Sequence, residues 1–448
     1  MKHHLSTAFF YAFIIYCLSA CQSTPKVPVY QDYEIASKWA EMTLRITKNT
    51  PSNSPTYASR CLGYIGLTMY EAAVHGHKNY NSLVGQLNEL EVLALPEEEK
   101  IYDWRLSLNA AQASILKAIY NQTSDENKAS IDSLEAAILE NIGSHIEERA
   151  AIERSIAYGQ SIAKSIFEWS KTDGGHRAYL KNFDKTWTHP ERPGSWKPPL
   201  FAQSFSHHPL HPHWGKNRTF LKENAQLAIP KMIPYDTTKG SPYYQQFLAV
   251  YEKDLALTQA EKEAAIWWGD DPDETFTPPG HSYYIANLVV KDKQPNLIKC
   301  AETYARVGMA VADAFINCWK WKYHHFTERA NTFIPQHIDQ SWESFWPDPP
   351  FPSFPSGHAI QAASAAKVLI DLYGENFAFT DQSHIGRERD EVRDVDFVER
   401  SFSSFWEVAL ETADSRFYGG IHIPHDNAVG LEEGSRIAEH VNSLKWKR

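Results

Sequence analysis

Apolar positions recur at helical spacing through most of the chain. In residues 58–75, ASRCLGYIGLTMYEAAVH, one face collects Leu62, Ile65, Met69 and Ala72, the three- and four-residue period of an amphipathic helix. The period returns in 106–119, 129–142 and 146–169, so the chain from Gln31 to about Ser170 reads as helical, with no alternating strand pattern longer than a few residues. Helices are predicted again at 243–257, 260–268 and 282–290. The longest helical pattern is 296–323, which delivers Lys322 at its end with Trp319 one turn earlier on the same face. A helix over 401–415 and a last one, capped by Asn427 and carrying Val429, Ile437 and Val441, complete an all-α pattern. The charge-dense stretch 381–400 reads as an exposed linker.

The interruptions are as telling as the helices. Residues 174–214 hold six prolines and Trp187, Trp196 and Trp214, a stiffened loop of the kind that forms a lid or rim. His207, His208, His211 and His213 lie in it, but a proline-broken loop offers neither helical nor strand spacing, so they are not read as a metal site. The stretch 269–281, GDDPDETFTPPGH, is acidic and turn-rich. Asp270, Asp271, Asp273 and Glu274 lack the glycine and terminal glutamate of a calcium loop. They are expected to line a pocket or face solvent, one of them reaching Arg416 or Arg329.

Pro350, Pro352 and Pro355 break the chain just before a new helix. Ser356 is a good helix cap, Gly357 lets backbone approach a ligand, and Ala359, Ala362, Ala363, Ala366, Leu369 and Leu372 form an apolar face behind them. The helix start thus offers free N–H groups and the positive end of a dipole, an anion site with His358 in its first turn.

Composition narrows the class. A chain of 448 residues with 43 % hydrophobic and 13 % aromatic content is globular, and a net charge of −11 argues against nucleic acid as a partner. Lys2, His3 and His4 precede an apolar run over 8–20, too short to span a bilayer, so a cleaved signal is expected. The sequence around Cys21 resembles a bacterial lipoprotein signal. That implies removal of residues 1–20, lipid on Cys21, residues 21–30 as a tether, and a cell-envelope protein touching membrane only through its lipid. Cys61, Cys300 and Cys318 sit in apolar helical contexts and read as buried thiols.

Lys322-x6-Arg329, Pro355-Ser356-Gly357-His358 and Ser415-Arg416-x5-His422-x3-Asp426 occur in that order. Together they resemble the signature of the superfamily shared by type-2 phosphatidic acid phosphatases, bacterial class A acid phosphatases and vanadium-dependent haloperoxidases. Ala330 is a departure, where the family usually has proline. The resemblance implies a helical bundle over 231–448, with 31–230 as an N-terminal helical extension. It implies an oxyanion held by Lys322, Arg329, Ser356, Gly357 and Arg416. His422 would ligate vanadium in a haloperoxidase or attack phosphorus in a phosphatase, with Asp426 setting its tautomer and His358 as acid–base. His324, His325 and His425 have no place in the signature and read as structural.

Length and the PPFPSFPSGH run resemble the bacterial haloperoxidases more than the compact or membrane-threading phosphatases. That implies vanadate as cofactor, with phosphate as competitor, and oxidation of halide, iodide or bromide favoured, by hydrogen peroxide. Phe351 stands where those enzymes carry Phe or His near the halide path, and Trp319 is placed with it. The alternative is a phosphatase acting on a phosphomonoester or lipid phosphate through a phospho-His422 intermediate. A non-catalytic oxyanion binder would be expected to lack His358 or His422, and both are present.

Overall fold

The computed structural model describes residues 28–199, 206–272 and 274–448. The signal segment with Cys21, and Asp273, lie outside the described residues. Helices dominate: α1 (Asp32–Asn49), α2 (Pro55–Glu71), α3 (Trp104–Ile119), α4 (Asp125–Gly143) and α5 (Arg149–Ser170) precede the proline- and tryptophan-rich loop. After it come α6 (Lys222–Ala225), α7 (Pro242–Leu255), α8 (Gln259–Trp267), α9 (Thr277–Lys293) and α10 (Leu297–His325). The last part holds α11 (Ala330–His337), α12 (Gly357–Tyr373), a strand pair β1 (Asn376–Asp381) and β2 (Arg400–Ser404), α13 (Phe405–Tyr418) and α14 (Pro424–Asn442).

Local chemistry sets many of the starts. Ser54 caps α2 and Pro55 opens it; Asn296 caps α10 at the Lys299 amide; Thr258 and Glu261 form a reciprocal capping box on α8. Packing does the rest. The 29-residue α10 runs beside α2 through the middle of the fold, and α12 lies against α10, α13 and α14. Two of these approaches need glycine, because a Cβ would strike backbone: Gly308 on α10 meets the Leu62 carbonyl, and Gly434 on α14 meets that of Ile360 on α12. One cluster of buried apolar side chains runs from Ile35 on α1 through α2, α3 and α10 to Trp446. Among the described residues no helix is long and apolar enough to cross a membrane.

Four expectations are corrected. Residues 376–381 and 400–404 pair as antiparallel strands with Phe379 opposite Phe402, so the helix expected from 401 begins at Phe405, where Ser404 caps it. The stretch 381–400 is not a plain exposed linker. Asp381 and Val395 are fully buried, and charges pair within the loop, Arg393 with Asp390 and Arg389 with Asp394 and Asp396. Asn427 is no cap: α14 starts at Pro424, and the buried Asn427 amide donates to the Ala413 carbonyl at 2.7 Å, tying α14 to α13. The helix expected from Ser282 starts five residues earlier at Thr277, because its first turn tolerates Pro278 and Pro279.

Candidate functional site

The last turn of α10 carries Lys322, wholly buried. Its ammonium donates to the carbonyls of Pro352 (2.9 Å), Ser353 (2.5 Å) and Pro355 (2.6 Å), which uses all three of its donors. Phe326 then ends the helix in a left-handed conformation and the chain reverses. Arg329 becomes the residue before α11, with Ala330 as that helix's first residue. Its guanidinium donates to Phe351 O (2.9 Å), Ile421 O (2.7 Å) and, more weakly, Pro352 O (3.4 Å). The Phe351 ring lies over both cations, 5.3 Å from Lys322 and 5.2 Å from Arg329. Two cations from α10 and its C-terminal turn thus hold the proline-rich turn in shape.

That turn launches α12. The Ser356 amide donates to Asp426 O at 3.0 Å, and its hydroxyl accepts from the Ala359 amide, which leaves the hydroxyl proton available. Gly357 and His358 head the helix, where amides have no acceptor within it. Arg416 comes from the end of α13. It donates to Ala265 O and Ser415 Oγ, while its buried Nη1 has no partner. Beyond it Gly420, at φ +73°, turns the chain so that His422 enters the same region.

His422 Nδ1 lies 2.8 Å from Asp426 Oδ2 and 3.2 Å from Ser353 Oγ. Nδ1 therefore carries the proton towards the carboxylate, and Nε2 keeps a lone pair. Burial, joined by the fields of Arg329, Lys322, His358 and Arg416, holds His422 well below the usual imidazole range. Those four sources come from α10, the turn after it, α12 and α13, so the three signature segments converge on one imidazole. Burial lowers Lys322 to about 8, and burial offset by Asp271 and Asp270 leaves Arg416 at about 10. Burial raises Asp426 despite Ser353.

His358 is held from the other side. Its ring hydrogen-bonds the backbone of Gly269 and Trp268, and its Nε2 is buried without a partner. Burial and the Arg416 charge push this ring down to about 3, so it is neutral.

A cavity of ≈330 Å³ joins these groups. Gly357, His358 and His422 line its floor, Trp319, Phe315 and Phe351 one wall, and Asp270, Asp271 and Glu274 another. Trp319 and Phe351 pack together at 4.9 Å between ring centroids. Of the predicted site residues, Gly357, His358, His422, Trp319 and Phe351 reach the cavity, and Arg416 stands behind it with a free donor. Lys322 and Arg329 are engaged by carbonyls, so an oxyanion would gain their field directly and their N–H groups only in exchange for those bonds. Asp271 and Asp270 act electrostatically on Arg416.

Other histidines have structural partners. His325 Nε2 meets Pro230 O at 2.9 Å, and His425 Nε2 meets Lys231 O at 3.1 Å. The buried His211 bonds Thr56 and stacks on Trp214. Sequence reasoning missed Ser353, whose hydroxyl also donates to Asp426, and the Trp268 and Gly269 carbonyls that orient His358. A serine between prolines has no periodic signal, and carbonyls have no sequence signal at all.

Fold and site together define a helical-bundle protein with a buried, cationic, histidine-bearing oxyanion pocket. Two domain families match the chain: "Vanadium chloroperoxidase N-terminal domain" over residues 35–193 and "VCPO second helical-bundle domain" over 302–446. The chain belongs to the vanadium-dependent haloperoxidase superfamily. Vanadium chloroperoxidase of Curvularia inaequalis is 22 % identical over 499 residues, covering 88 % of this chain and 79 % of the relative. The crystal structure of a bacterial vanadium-dependent iodoperoxidase superposes with TM-score 0.78 at 29 % identity, over 93 % of this chain and 97 % of that one. A holo-type bacterial vanadium-dependent chloroperoxidase shares the fold at TM-score 0.65 and 14 % identity, over 94 % and 93 % of the two chains.

Proposed function

We propose that the protein is a vanadate-dependent haloperoxidase that oxidises halide, iodide or bromide in preference to chloride, with hydrogen peroxide to hypohalous acid. The observation that carries the proposal is the pairing of two buried, unpartnered nitrogens, Arg416 Nη1 and His358 Nε2, with a histidine held through Nδ1 by a carboxylate. Burying a donor such as Arg416 Nη1 unpaired costs free energy, and the oxygens of a hard oxyanion accept from it. Three cations and a helix N-terminus match its charge. The iodoperoxidase likeness supports the halide preference.

The residues present fit vanadate. Arg416, Ser356 and the Gly357 amide would donate to its oxygens, Lys322 and Arg329 would balance its charge, and His422 Nε2 would ligate it. When bound, vanadate supplies the centre at which peroxide is activated towards halide. The protein's own part is to keep His422 neutral and correctly protonated, which Asp426 and the cationic surroundings do. His358, held neutral by burial and the Arg416 charge, takes up a proton from incoming peroxide and returns it. Trp319 and Phe351 give the halide an aromatic wall close to the cations. We further infer that Cys21 is lipid-modified and anchors the enzyme at the bacterial cell envelope.

The test uses the chain without its first 21 residues, loaded with vanadate and assayed for iodide, bromide and chloride oxidation. Its vanadate-free form is offered p-nitrophenyl phosphate. Peroxide-dependent iodide or bromide oxidation is expected; robust phosphate hydrolysis with no halide oxidation would establish a phosphatase instead.

A further inference from the structure

A second cluster of titratable groups stands directly behind the cavity wall. His281, on the first turns of α9, is buried between two carboxylates, with Nδ1 2.7 Å from Asp270 Oδ2 and Nε2 2.7 Å from Asp381 Oδ2. Serving both requires a proton on each nitrogen. Burial pulls the ring down, but Asp270 and Asp381 outweigh it and raise His281 to about 10. The other oxygen of Asp270 meets His384 Nε2 at 2.9 Å, and Asp381 also accepts from Trp267 Nε1 at 2.8 Å. Asp270 itself sits at φ +48°, a left-handed backbone that its two side-chain bonds help to hold.

Asp270, His281 and His384 place ligand atoms within 4.8 Å of one another, a spacing a metal ion could bridge. Hydrogen bonding accounts for it better. Each Asp270 oxygen is matched to one ring nitrogen, and His281 directs its two nitrogens at different carboxylates rather than at one point. What the cluster clamps is the segment 268–271. That segment supplies the two backbone partners of His358 and the two carboxylates that act on Arg416.

We propose that His281 is a positioning residue: by fixing Asp270 against Asp381 it sets the segment 268–271, and so the orientation of His358 and of the unpartnered Arg416 nitrogen. This inference rests on the proposed haloperoxidase function. Its expected signature is selective. The halide wall of Trp319 and Phe351 is untouched, so a variant should lose turnover and vanadate affinity while halide KM stays.

Two variants test it in the vanadate-loaded enzyme. His281→Gln keeps one donor and removes the charge; Asp381→Asn keeps the shape and is remote from the cavity. Expected are a fall in kcat of about tenfold in His281→Gln and about threefold in Asp381→Asn, with halide KM within about twofold. Equilibrium dialysis should show the vanadate Kd rising at least about threefold in both. Folded variants with wild-type kcat and Kd would overturn the proposal, as would a loss confined to KM. So would one equivalent of Zn²⁺ bound by the wild type and lost in His281→Gln. Where His281→Gln does not fold, Asp381→Asn decides alone. A wild type inactive on every halide refutes the proposed function rather than this inference, which the Kd comparison still tests.

Discussion

Lys322 and His422 are both buried basic residues, yet removing each should fail differently. Lys322 supplies three hydrogen bonds to one turn. Lys322→Ala strands three carbonyls, and a loss of roughly 3–5 kcal/mol of folding stability is expected by denaturant titration. His422→Ala removes the nitrogen proposed to ligate vanadate but leaves the turn on Lys322, so vanadate binding should vanish while the fold survives. Asp426→Ala, which frees the tautomer without removing the ring, should only weaken binding, by about 10–100-fold. Two histidines also predict opposite pH limbs in the vanadate-free protein. His422 lies below its unfolded value, so the unfolded chain binds more protons and stability is lost as pH falls below about 6.5. His281 lies above its unfolded value. Its contribution is complete below about 6.5 and is lost as pH rises towards about 10, by up to about 1.4 kcal/mol per pH unit. Thermal melts across pH should therefore show His281→Gln losing the alkaline slope and keeping the acid one.

Helices show why much of the molecule could be read in advance and some could not. The start of α12 was legible because its signals are local: prolines, then Ser356 and Gly357, then small apolar residues at helical spacing. The end of α10 was legible for the same reason. The pair β1 and β2 was not, because the eighteen intervening residues 382–399, dense in charge, hide two short strands whose pairing is a long-range event. Asn427 misled in the opposite direction. It has a capping side chain, but Pro424 opens α14 three residues earlier, and the amide serves α13 instead. The closeness of α12 and α14 was equally invisible, since it depends on which carbonyl faces Gly434. That closeness carries a prediction. Gly434→Ala should force the two helices apart, lower stability by about 1–3 kcal/mol, and weaken vanadate binding, because α12 bears Ser356 and Gly357 while the loop into α14 bears His422. A calorimetric melt and a dialysis Kd on the same sample would check both effects.

At the level of the whole molecule, the question is whether the signature half needs the N-terminal helices. All three signature segments lie after residue 321, which invites treating 231–448 as a separable enzyme. The packing argues otherwise. The central helix α10 is sheathed by α2, and Gly308 brings it onto the Leu62 backbone so closely that no side chain fits between. Asp313, buried on the same helix, accepts from the Phe220 and Leu221 amides and from Asn224, stitching in the segment that follows the long loop. Burial lifts that carboxyl to about 7 even with these donors, and without them it would be an unpaired buried acid. The cavity repeats the pattern, for Ser52, Asn53, Phe183 and Leu210 line it together with His358 and His422. A fragment of residues 231–448 would thus expose the α2-facing side of α10, orphan Asp313 and open one wall of the site. We expect it to be insoluble or molten, with no cooperative melt and no measurable vanadate binding. Co-expression with residues 28–230 should restore both, since the interface buries core rather than rim. A fragment that melts cooperatively and binds vanadate alone would show that the site needs only the helices bearing its signature.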